Sequence, residues 1–203
     1  MGKKLIPVFC AVIVLSLAVS ALSLFGVFGG GGDSGVTVVK APAQSEAERP
    51  DCIPDPQANW IKLPEGTNLA EGRPVSAGEI TDVYTANNVN DGDVNTYWES
   101  KGFPAEVTFT LDGTHTVGTV AVRLNPSAVW EARTQGFAVL VSTDGSSFTE
   151  VAADAKYDFN PDTGNVVRVD FSPVQAAYVR LVFSANSSAR TGGAQAAEIM
   201  VFE

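Results

Sequence analysis

The sequence predicts an all-β domain, built as a sandwich or jelly roll, and three observations support this fold class. Short runs of alternating apolar and polar residues recur from about Asn68 to the end of the chain. Gly, Asp and Pro, which favour turns, separate these runs. No stretch after residue 30 has the 3.6-residue period of an amphipathic helix. Many short strands joined by turns pack as two layers, because each strand must bury one apolar face.

Six runs carry the two-residue period of half-buried strands and are rich in β-branched and aromatic residues. Successive side chains of a strand point to opposite faces, so one set from each run should form the core. The predicted core comprises Val107, Phe109, Leu111, Val120, Val122, Leu124, Phe137, Val139, Val141, Val167, Val169, Phe171, Val179, Leu181, Phe183, Ala197, Ile199 and Val201.

The chain begins with an apolar segment. Two lysines precede the 24 uncharged residues 5–28, a length that suffices to cross a bilayer as a helix. Residues 1–28 are therefore predicted to be either a single-pass membrane anchor or a signal peptide cleaved near Ser20. The anchor is favoured because the apolar run continues through Phe28. The lysines would keep the N-terminus in the cytoplasm, so both alternatives place the remaining chain outside: at the extracellular face of the membrane, or secreted after cleavage.

Residues 29–59 are predicted to be a flexible linker. Four glycines are followed by a stretch of Asp, Ser, Glu, Ala and Pro, a composition that buries too little apolar surface to fold. The folded domain is predicted over residues 60–203, with Trp60, Ile61 and Leu63 as the first side chains able to dock on it.

Neither cysteine lies in the predicted domain, so this domain must fold without a disulfide. Cys10 is in the apolar segment and Cys52 is in the linker. The domain is expected to be monomeric, and Cys52 either joins two chains or stays a free thiol.

The predicted domain is acidic. Residues 61–203 contain 18 acidic and nine basic residues, which accounts for most of the chain's net charge of -10. A nucleic-acid partner is excluded, because phosphate binding requires a basic face. The acidity is compatible with cation binding and with solubility.

Residues 87–100 concentrate oxygen donors around Gly92 and then run into Tyr97 and Trp98. Ca²⁺ takes six to eight oxygen ligands, including backbone carbonyls, so the stretch is a candidate metal loop. A plain turn is the alternative on these residues alone, because Asn, Asp and Gly also favour turns. An EF-hand is excluded, since Trp98 would occupy the position of its bidentate Glu.

Six motifs occur in order along residues 68–203. They are Asn68-Leu69-Ala70 with residues 73–77, the loop containing Asp91-Gly92-Asp93 and Trp98, and residues 107–113, 137–145, 177–181 and 197–201. Together they resemble the factor V/VIII type C (discoidin) domain, in the bacterial carbohydrate-binding-module branch of the galactose-binding-like jelly rolls. The resemblance implies an eight-stranded β-sandwich whose termini lie close together.

The resemblance also implies a structural Ca²⁺ between the Asp-Gly-Asp loop and the final strand. Carried over by position, the ligands would come from Asn88, Asp91, Asp93, Thr96, Ala197 and Glu198. Glu198 would bring a carboxylate from more than 100 residues away, so the metal would close a long loop whose closure is entropically costly. Trp98 is assigned to the core beneath this loop.

Family members bind ligands with loops at one end of the sandwich, which correspond here to residues 79–84, 99–104, 125–133 and 189–195. Sugars need a flat aromatic face and fixed polar groups. Trp130 and Arg133 offer these, with Tyr84, Glu79, Glu99 and Phe103 as further walls. The alternative for Trp130 is that it caps the core.

The sequence departs from the galactose-binding members of the family. Their first loop carries a His, whereas residues 77–84 contain none, and Arg133 and Gln135 do not reproduce their Arg-Asn pair. Residues 82–84 and 98–100, together with Trp130 and residues 133–135, more closely resemble domains attached to bacterial glucan-degrading enzymes. This resemblance implies an α- or β-glucan in preference to galactose.

An enzyme is disfavoured. The only histidine, His115, lies between two predicted strands, and no serine sits in a Gly-x-Ser-x-Gly elbow. A zinc site would lack His and Cys ligands. The predicted function is a non-catalytic, surface-displayed carbohydrate-binding module. An adhesion or protein-interaction module on the same fold is the alternative, and a small hydrolase using two carboxylates is a third hypothesis.

Overall fold

The computed structural model describes residues 57–203. The predicted anchor or signal peptide, the linker as far as residue 56 and Cys52 lie outside the described residues. Residues 57–203 form eight strands and three short 3₁₀ helices without an α-helix. This part of the chain has no helix long and apolar enough to span a membrane.

The strands are numbered in chain order. They are β1 (Val75–Ala77), β2 (Trp98–Glu99), β3 (Ala105–Arg123), β4 (Arg133–Ser142), β5 (Thr149–Phe159), β6 (Val166–Asn186), β7 (Gln195–Ala196) and β8 (Glu198–Phe202). The 3₁₀ helices span Ala86–Val89, Ala128–Trp130 and Pro161–Thr163. The number of strands agrees with the number that the resemblance implies.

The strands build a two-layer sandwich because β3 and β6 are long enough to contribute to both layers. In the first layer the order is β1-β3-β6-β4-β5, with antiparallel pairing throughout. The register of β3 with β6 shifts between Thr110 and His115. Beyond that shift, the second half of β3 pairs with the first half of β6 on one side and with β8 on the other. These three segments form the second layer. The predicted sandwich is confirmed.

The core lies between the two layers. Val107 and Phe109 of the first half of β3 are fully buried, as are Val120 and Val122 of its second half, and all four belong to one apolar cluster. Every other residue of the predicted core is also buried, except Phe171, which is partly buried and packs against the cluster. The two-residue alternation therefore identified the inward faces correctly.

The outer face of the second layer is also covered. The sequence predicts that β8 and the second half of β3 bury only one face, and this prediction is wrong because both faces are buried. Ala121, Met200 and Phe202 form a second apolar cluster, against which Leu63 packs. The ring of Trp60 lies directly against Gly164, where a Cβ would come within 2.8 Å of it. Trp60 and Leu63 thus dock on the domain as the sequence predicts, and they shield this face from water. The prediction is wrong for Ile61, which is exposed.

Two strand assignments from the sequence need correction. The runs around Val107 and Val120 belong to the single strand β3, so His115 lies inside a strand and not in a turn; its Nε2 is 2.7 Å from Asp112 Oδ1. Strand β5 was not predicted, because most of its residues are exposed at the edge of the first layer and its apolar residues do not alternate.

Candidate functional site

Strands β2 and β7 bring three loops together at one end of the sandwich. Their antiparallel pairing sets Glu99 opposite Gln195. The backbone N–H of Ala194 donates to the Ser100 hydroxyl at 2.8 Å. A Cβ built on Gly193 would overlap the Ser100 carbonyl oxygen, so only glycine allows this close approach. The loops at residues 79–84, 99–104 and 189–195 therefore meet, as the resemblance implies.

Three aromatic rings form a row at this end. Tyr84 stacks on Tyr97 with 4.2 Å between ring centroids, and Tyr97 meets Trp130 edge-on at 4.8 Å. Trp130 is partly buried and packs against the core, so it has both a structural side and an open side. Burial and a hydrogen bond with Tyr84 raise the pKa of Tyr97 well above its usual value, which keeps this phenol neutral.

Arg133, at the start of β4, positions two residues of the site. Its Nη1 donates to Gln195 Oε1 at 2.6 Å, and its Nη2 donates to the Trp130 carbonyl. The guanidinium lies 5.4 Å from the centre of the Trp130 ring, a cation–π arrangement. The side chain is buried, which lowers its pKa, and its Nε has no hydrogen-bond partner. Arg133 therefore acts mainly as a support behind Trp130.

Glu99 continues this network. Its two carboxylate oxygens accept hydrogen bonds from Thr191 Oγ1 and Gln195 Nε2, each at 2.7 Å. Gln195 thus joins the carboxylate of Glu99 to the guanidinium of Arg133. At the rim, Arg190 Nη2 lies 2.8 Å from Glu131 Oε1, and both of these side chains are about 60% exposed, at 63% and 59%.

These side chains surround a cavity of about 460 Å³, named here the tryptophan cavity. Its lining comprises Tyr84, Tyr97, Glu99, Val129, Trp130, Arg133, Arg190 and Gln195. Four of the six predicted sugar-site residues, Tyr84, Glu99, Trp130 and Arg133, meet here. Sequence reasoning missed Tyr97, although alternation beside the buried Trp98 places it on the opposite, open face.

The other two predicted residues, Glu79 and Phe103, line a second cavity of about 460 Å³, named here the phenylalanine cavity. Trp98 and Ser100 contribute to its wall. Trp98 is fully buried, as the sequence predicts, and its Nε1 has no hydrogen-bond partner. The predicted sugar site is therefore divided between two cavities.

The predicted calcium ligands lie at the junction of residues 87–100 with β8. Glu198 is 5% exposed, and its Oε1 has no hydrogen-bond partner. Burial, followed by the charge of Asp91 and a hydrogen bond with it, raises the pKa of Glu198 to about 7. The charge of Arg123 interacts with that of Glu198. The guanidinium of Arg123 also lies over the Trp60 ring, 5.6 Å from its centre. The carboxylates of Asp91 and Glu198 are thus neighbours, and one oxygen of Glu198 has no hydrogen-bond partner.

The remaining predicted ligands are arranged around Asp91. Thr96 Oγ1 lies 2.7 Å from Asp91 Oδ2 and 2.9 Å from the Asp93 carbonyl. The Asp93 carboxylate accepts from the backbone and side-chain amides of Asn95, which lowers its pKa. That carboxylate is engaged in its own turn, so the Asp93 carbonyl is the better candidate ligand. The 3₁₀ helix Ala86–Val89, which contains Asn88, lies close to β8, and Ala197 is buried beside Glu198.

The donor set fits Ca²⁺ better than a transition metal. Within residues 57–203, no group of three or more His, Cys, Asp or Glu side chains is arranged to hold a metal. The cluster instead offers two carboxylates, Asp91 and Glu198, together with hydroxyl and carbonyl oxygens, which are the hard donors that Ca²⁺ takes. A cation there would give the Glu198 oxygen a partner, and it would offset the repulsion between the two carboxylates.

An aromatic-lined cavity between loops at one end of a β-sandwich is a candidate ligand-binding site. The sequence model of the F5/8 type C domain family matches residues 74–199, and the chain belongs to this family. The resemblance seen in the sequence motifs is therefore confirmed.

Solved carbohydrate-binding modules are similar to this chain. The CBM32 of AlyQ, in complex with 4,5-unsaturated mannuronic acid, is 26% identical over 68% of this chain and 99% of that one, with a TM-score of 0.57. CpGH89CBM32-5 from Clostridium perfringens, in complex with GalNAc-beta-1,3-galactose, is 22% identical over 68% of this chain and 100% of that one, with a TM-score of 0.54. The family 32 CBM from C. perfringens NanJ, in complex with galactose, is 20% identical over 68% and 98%, with a TM-score of 0.56. The last two share the fold.

Proposed function

We propose that residues 60–203 form a non-catalytic carbohydrate-binding module whose glycan occupies the tryptophan cavity. The observation that carries this proposal is the row of Tyr84, Tyr97 and Trp130 beside the fixed polar groups Glu99 and Gln195. An aromatic face packs against the C–H side of a sugar ring, and positioned polar groups pair with its hydroxyls. The similarity to CBM32 modules supports the same function.

Each group of the cavity has a distinct part in this binding. The open side of Trp130 supports the sugar ring, and the carboxylate of Glu99 accepts hydrogen bonds from hydroxyl groups. Arg133 and Gln195 hold these two side chains in place, so little conformational entropy is lost on binding. Arg190 and Glu131 form an exposed ion pair at the rim, and such pairs contribute little to stability. Both side chains are therefore available to turn towards a ligand.

The glycan that we propose is an α- or β-glucan, because residues 82–84 and 98–100 resemble domains attached to glucan-degrading enzymes. Galactose is disfavoured because residues 77–84 lack the histidine of the galactose-binding members. The module is displayed at the extracellular face of the membrane through residues 1–28, with residues 29–59 as a spacer. Cleavage of the segment would give a secreted module. The domain is monomeric, and Cys52 offers a route to a disulfide-linked dimer.

We further propose that a structural Ca²⁺ joins residues 87–100 to β8. Its ligands are the carboxylates of Asp91 and Glu198, the hydroxyl of Thr96, and carbonyls of Asn88, Asp93 and Ala197. When bound, the ion supplies positive charge to the paired carboxylates and ties a loop to a strand more than 100 residues away. Because Tyr97 and Glu99 follow the same loop, the ion stabilises the wall of the tryptophan cavity.

A glycan array, probed with and without a chelator, tests the function. We expect binding to polysaccharides, and Trp130→Ala should weaken it by about 100-fold. Circular dichroism should show that this variant still folds, with a lower melting temperature because Trp130 also packs against the core. Trp60→Ala is the matched control, because this tryptophan packs at Gly164, outside the cavity; it should lower the melting temperature and retain binding. If the domain binds no glycan, including insoluble glucans, the result would instead indicate an adhesion or protein-interaction module. Release of reducing sugar from a bound glycan would reveal a hydrolase.

A further inference from the structure

We propose that this domain binds an internal stretch of a polysaccharide chain, which crosses from the tryptophan cavity into the phenylalanine cavity. This inference rests on the proposed function and extends it, because it specifies a chain with at least two ring-binding positions rather than a terminal sugar. Three features of the loop end carry it: a shared wall between the cavities, apolar side chains exposed on this wall and on the cavity linings, and polar groups at the second mouth.

The two cavities share one wall, named here the ridge, which consists of residues 79–84 and 98–101. Tyr84 and Glu99 face the tryptophan cavity, whereas Glu79 and Ser100 face the phenylalanine cavity. The backbone N–H of Thr81 donates to the Glu99 carbonyl at 2.9 Å, and that of Lys101 donates to the Glu79 carbonyl at 3.1 Å. The cavities are therefore neighbours on the two sides of this wall.

The tip of the ridge exposes an apolar side chain. Asp82 adopts a left-handed conformation, with φ 50°, and Tyr84 N–H donates to the Thr81 carbonyl, so residues 81–84 form a tight turn. Val83 at this turn is 69% exposed. Backbone strain of this kind is often retained at ligand-binding segments. A chain that crosses the ridge would cover this valine.

The exposed apolar side chains concentrate at this end of the molecule. Within residues 57–203, the large apolar side chains that are more than a third exposed are Ile61, Val83, Phe103 and Val129. All except Ile61 lie on the ridge or on a cavity lining. Phe103 and Trp130 place one aromatic ring in each cavity. Pyranose rings present apolar C–H faces, and an aromatic ring in each cavity supports two such rings.

The mouth of the phenylalanine cavity offers polar groups that a second sugar could use. Lys101 Nζ lies 3.7 Å from Glu79 Oε2, and these side chains are 69% and 82% exposed. A pair this exposed contributes little to stability, so its donors and acceptors are free to exchange with hydroxyl groups. Each cavity measures about 460 Å³, within the range of roughly 300–1,000 Å³ that ligand sites occupy.

An array of oligosaccharides one to six residues long, in the α-glucan, β-glucan, galactan, mannan and uronan series, tests the inference on the full-length chain. We expect at least one series in which the tetramer binds about tenfold more tightly than the monomer, as one additional aromatic contact implies. Phe103→Ala should bring this ratio close to one. Glu79→Gln, which keeps the size of the side chain, should lower it in part. Glu150→Gln, on the exposed strand β5, is the matched control and should leave it at the wild-type value.

The outcomes separate this inference from the proposed function. Binding that does not depend on chain length, or a tetramer-to-monomer ratio that survives in the Phe103→Ala protein with its melting temperature preserved, would overturn the extended site alone. If Phe103→Ala does not fold, the Glu79→Gln ratio decides: an unreduced ratio overturns the extended site. Absence of binding in every series, at any length, would overturn the proposed function and this inference with it.

Discussion

The paired carboxylates predict that the metal-free protein loses stability as the pH rises towards neutrality. Glu198 has its pKa raised from 4.5 to about 7, first by burial and then by Asp91. The folded protein therefore keeps this proton at pH values where the unfolded chain has lost it. Stability due to this proton is complete below about pH 4.5 and is lost as the pH rises through 7.

The size of the effect follows from the pKa difference. At about 1.4 kcal/mol per pH unit, the shift corresponds to roughly 3 kcal/mol of unfolding free energy. A domain of this size changes its melting temperature by about 2–4 °C per kcal/mol, so roughly 10 °C is expected. The lowered pKa values of Asp93, Asp144 and Asp170 act in more acidic solution and do not contribute in this window.

Thermal melts in a chelator from pH 5 to pH 8, compared between the wild type and Glu198→Gln, measure this effect. The glutamine keeps the size of the side chain and cannot ionise, so the wild type should fall relative to the variant by that amount. Added Ca²⁺ should reverse the fall in the wild type only, because binding requires both carboxylates to be ionised. Parallel curves for the two proteins in the chelator would refute the raised pKa of Glu198. A melting temperature insensitive to Ca²⁺ at pH 8 would refute the metal site.

Three further predictions concern Trp130, Gly193 and the N-terminus. Trp130→Ala should weaken glycan binding by about 100-fold in titration calorimetry, a loss typical of a central aromatic contact. A loss below about threefold would assign Trp130 to core packing alone. Gly193→Ala should destabilise the domain by about 1–3 kcal/mol in urea unfolding, because the added Cβ overlaps the Ser100 carbonyl. Gly192→Ala is the control, since the space around Gly192 is open. Equal unfolding midpoints for the two variants would contradict the close approach. Intact mass of the native protein should show residues 1–20 retained, and their loss would replace the anchor with a signal peptide.

The sandwich was predictable because most strands bury one face and alternate accordingly. Strand β5 escaped prediction because it lies at an edge, where exposure on both faces removes the pattern. The second half of β3 was predicted as a strand, but its outer face was expected to be exposed. Leu63 and its neighbours cover that face, so Ala121 is buried as well. Local sequence does not reveal which distant segment will lie over a strand.

The candidate site was predictable in its residues but not in their roles. Residue types and loop positions identified Trp130, Glu99 and Phe103. The ridge that divides them into two cavities depends on hydrogen bonds between segments distant in sequence, such as that from Thr81 to Glu99. Arg133 was expected to face a ligand, yet Gln195, 62 residues away, and the Trp130 carbonyl engage its guanidinium.

Chemical-shift mapping tests the central claim most directly, because it reports both binding and its place. The ¹⁵N-labelled domain would be titrated with the oligosaccharide series in the presence of Ca²⁺. We expect saturable shifts of the Trp130 indole N–H and the Gln195 side-chain amide, with resonances of β5 unmoved. A spectrum unchanged by every series, or shifts confined to residues outside the two cavities, would contradict a carbohydrate-binding site at this end of the sandwich.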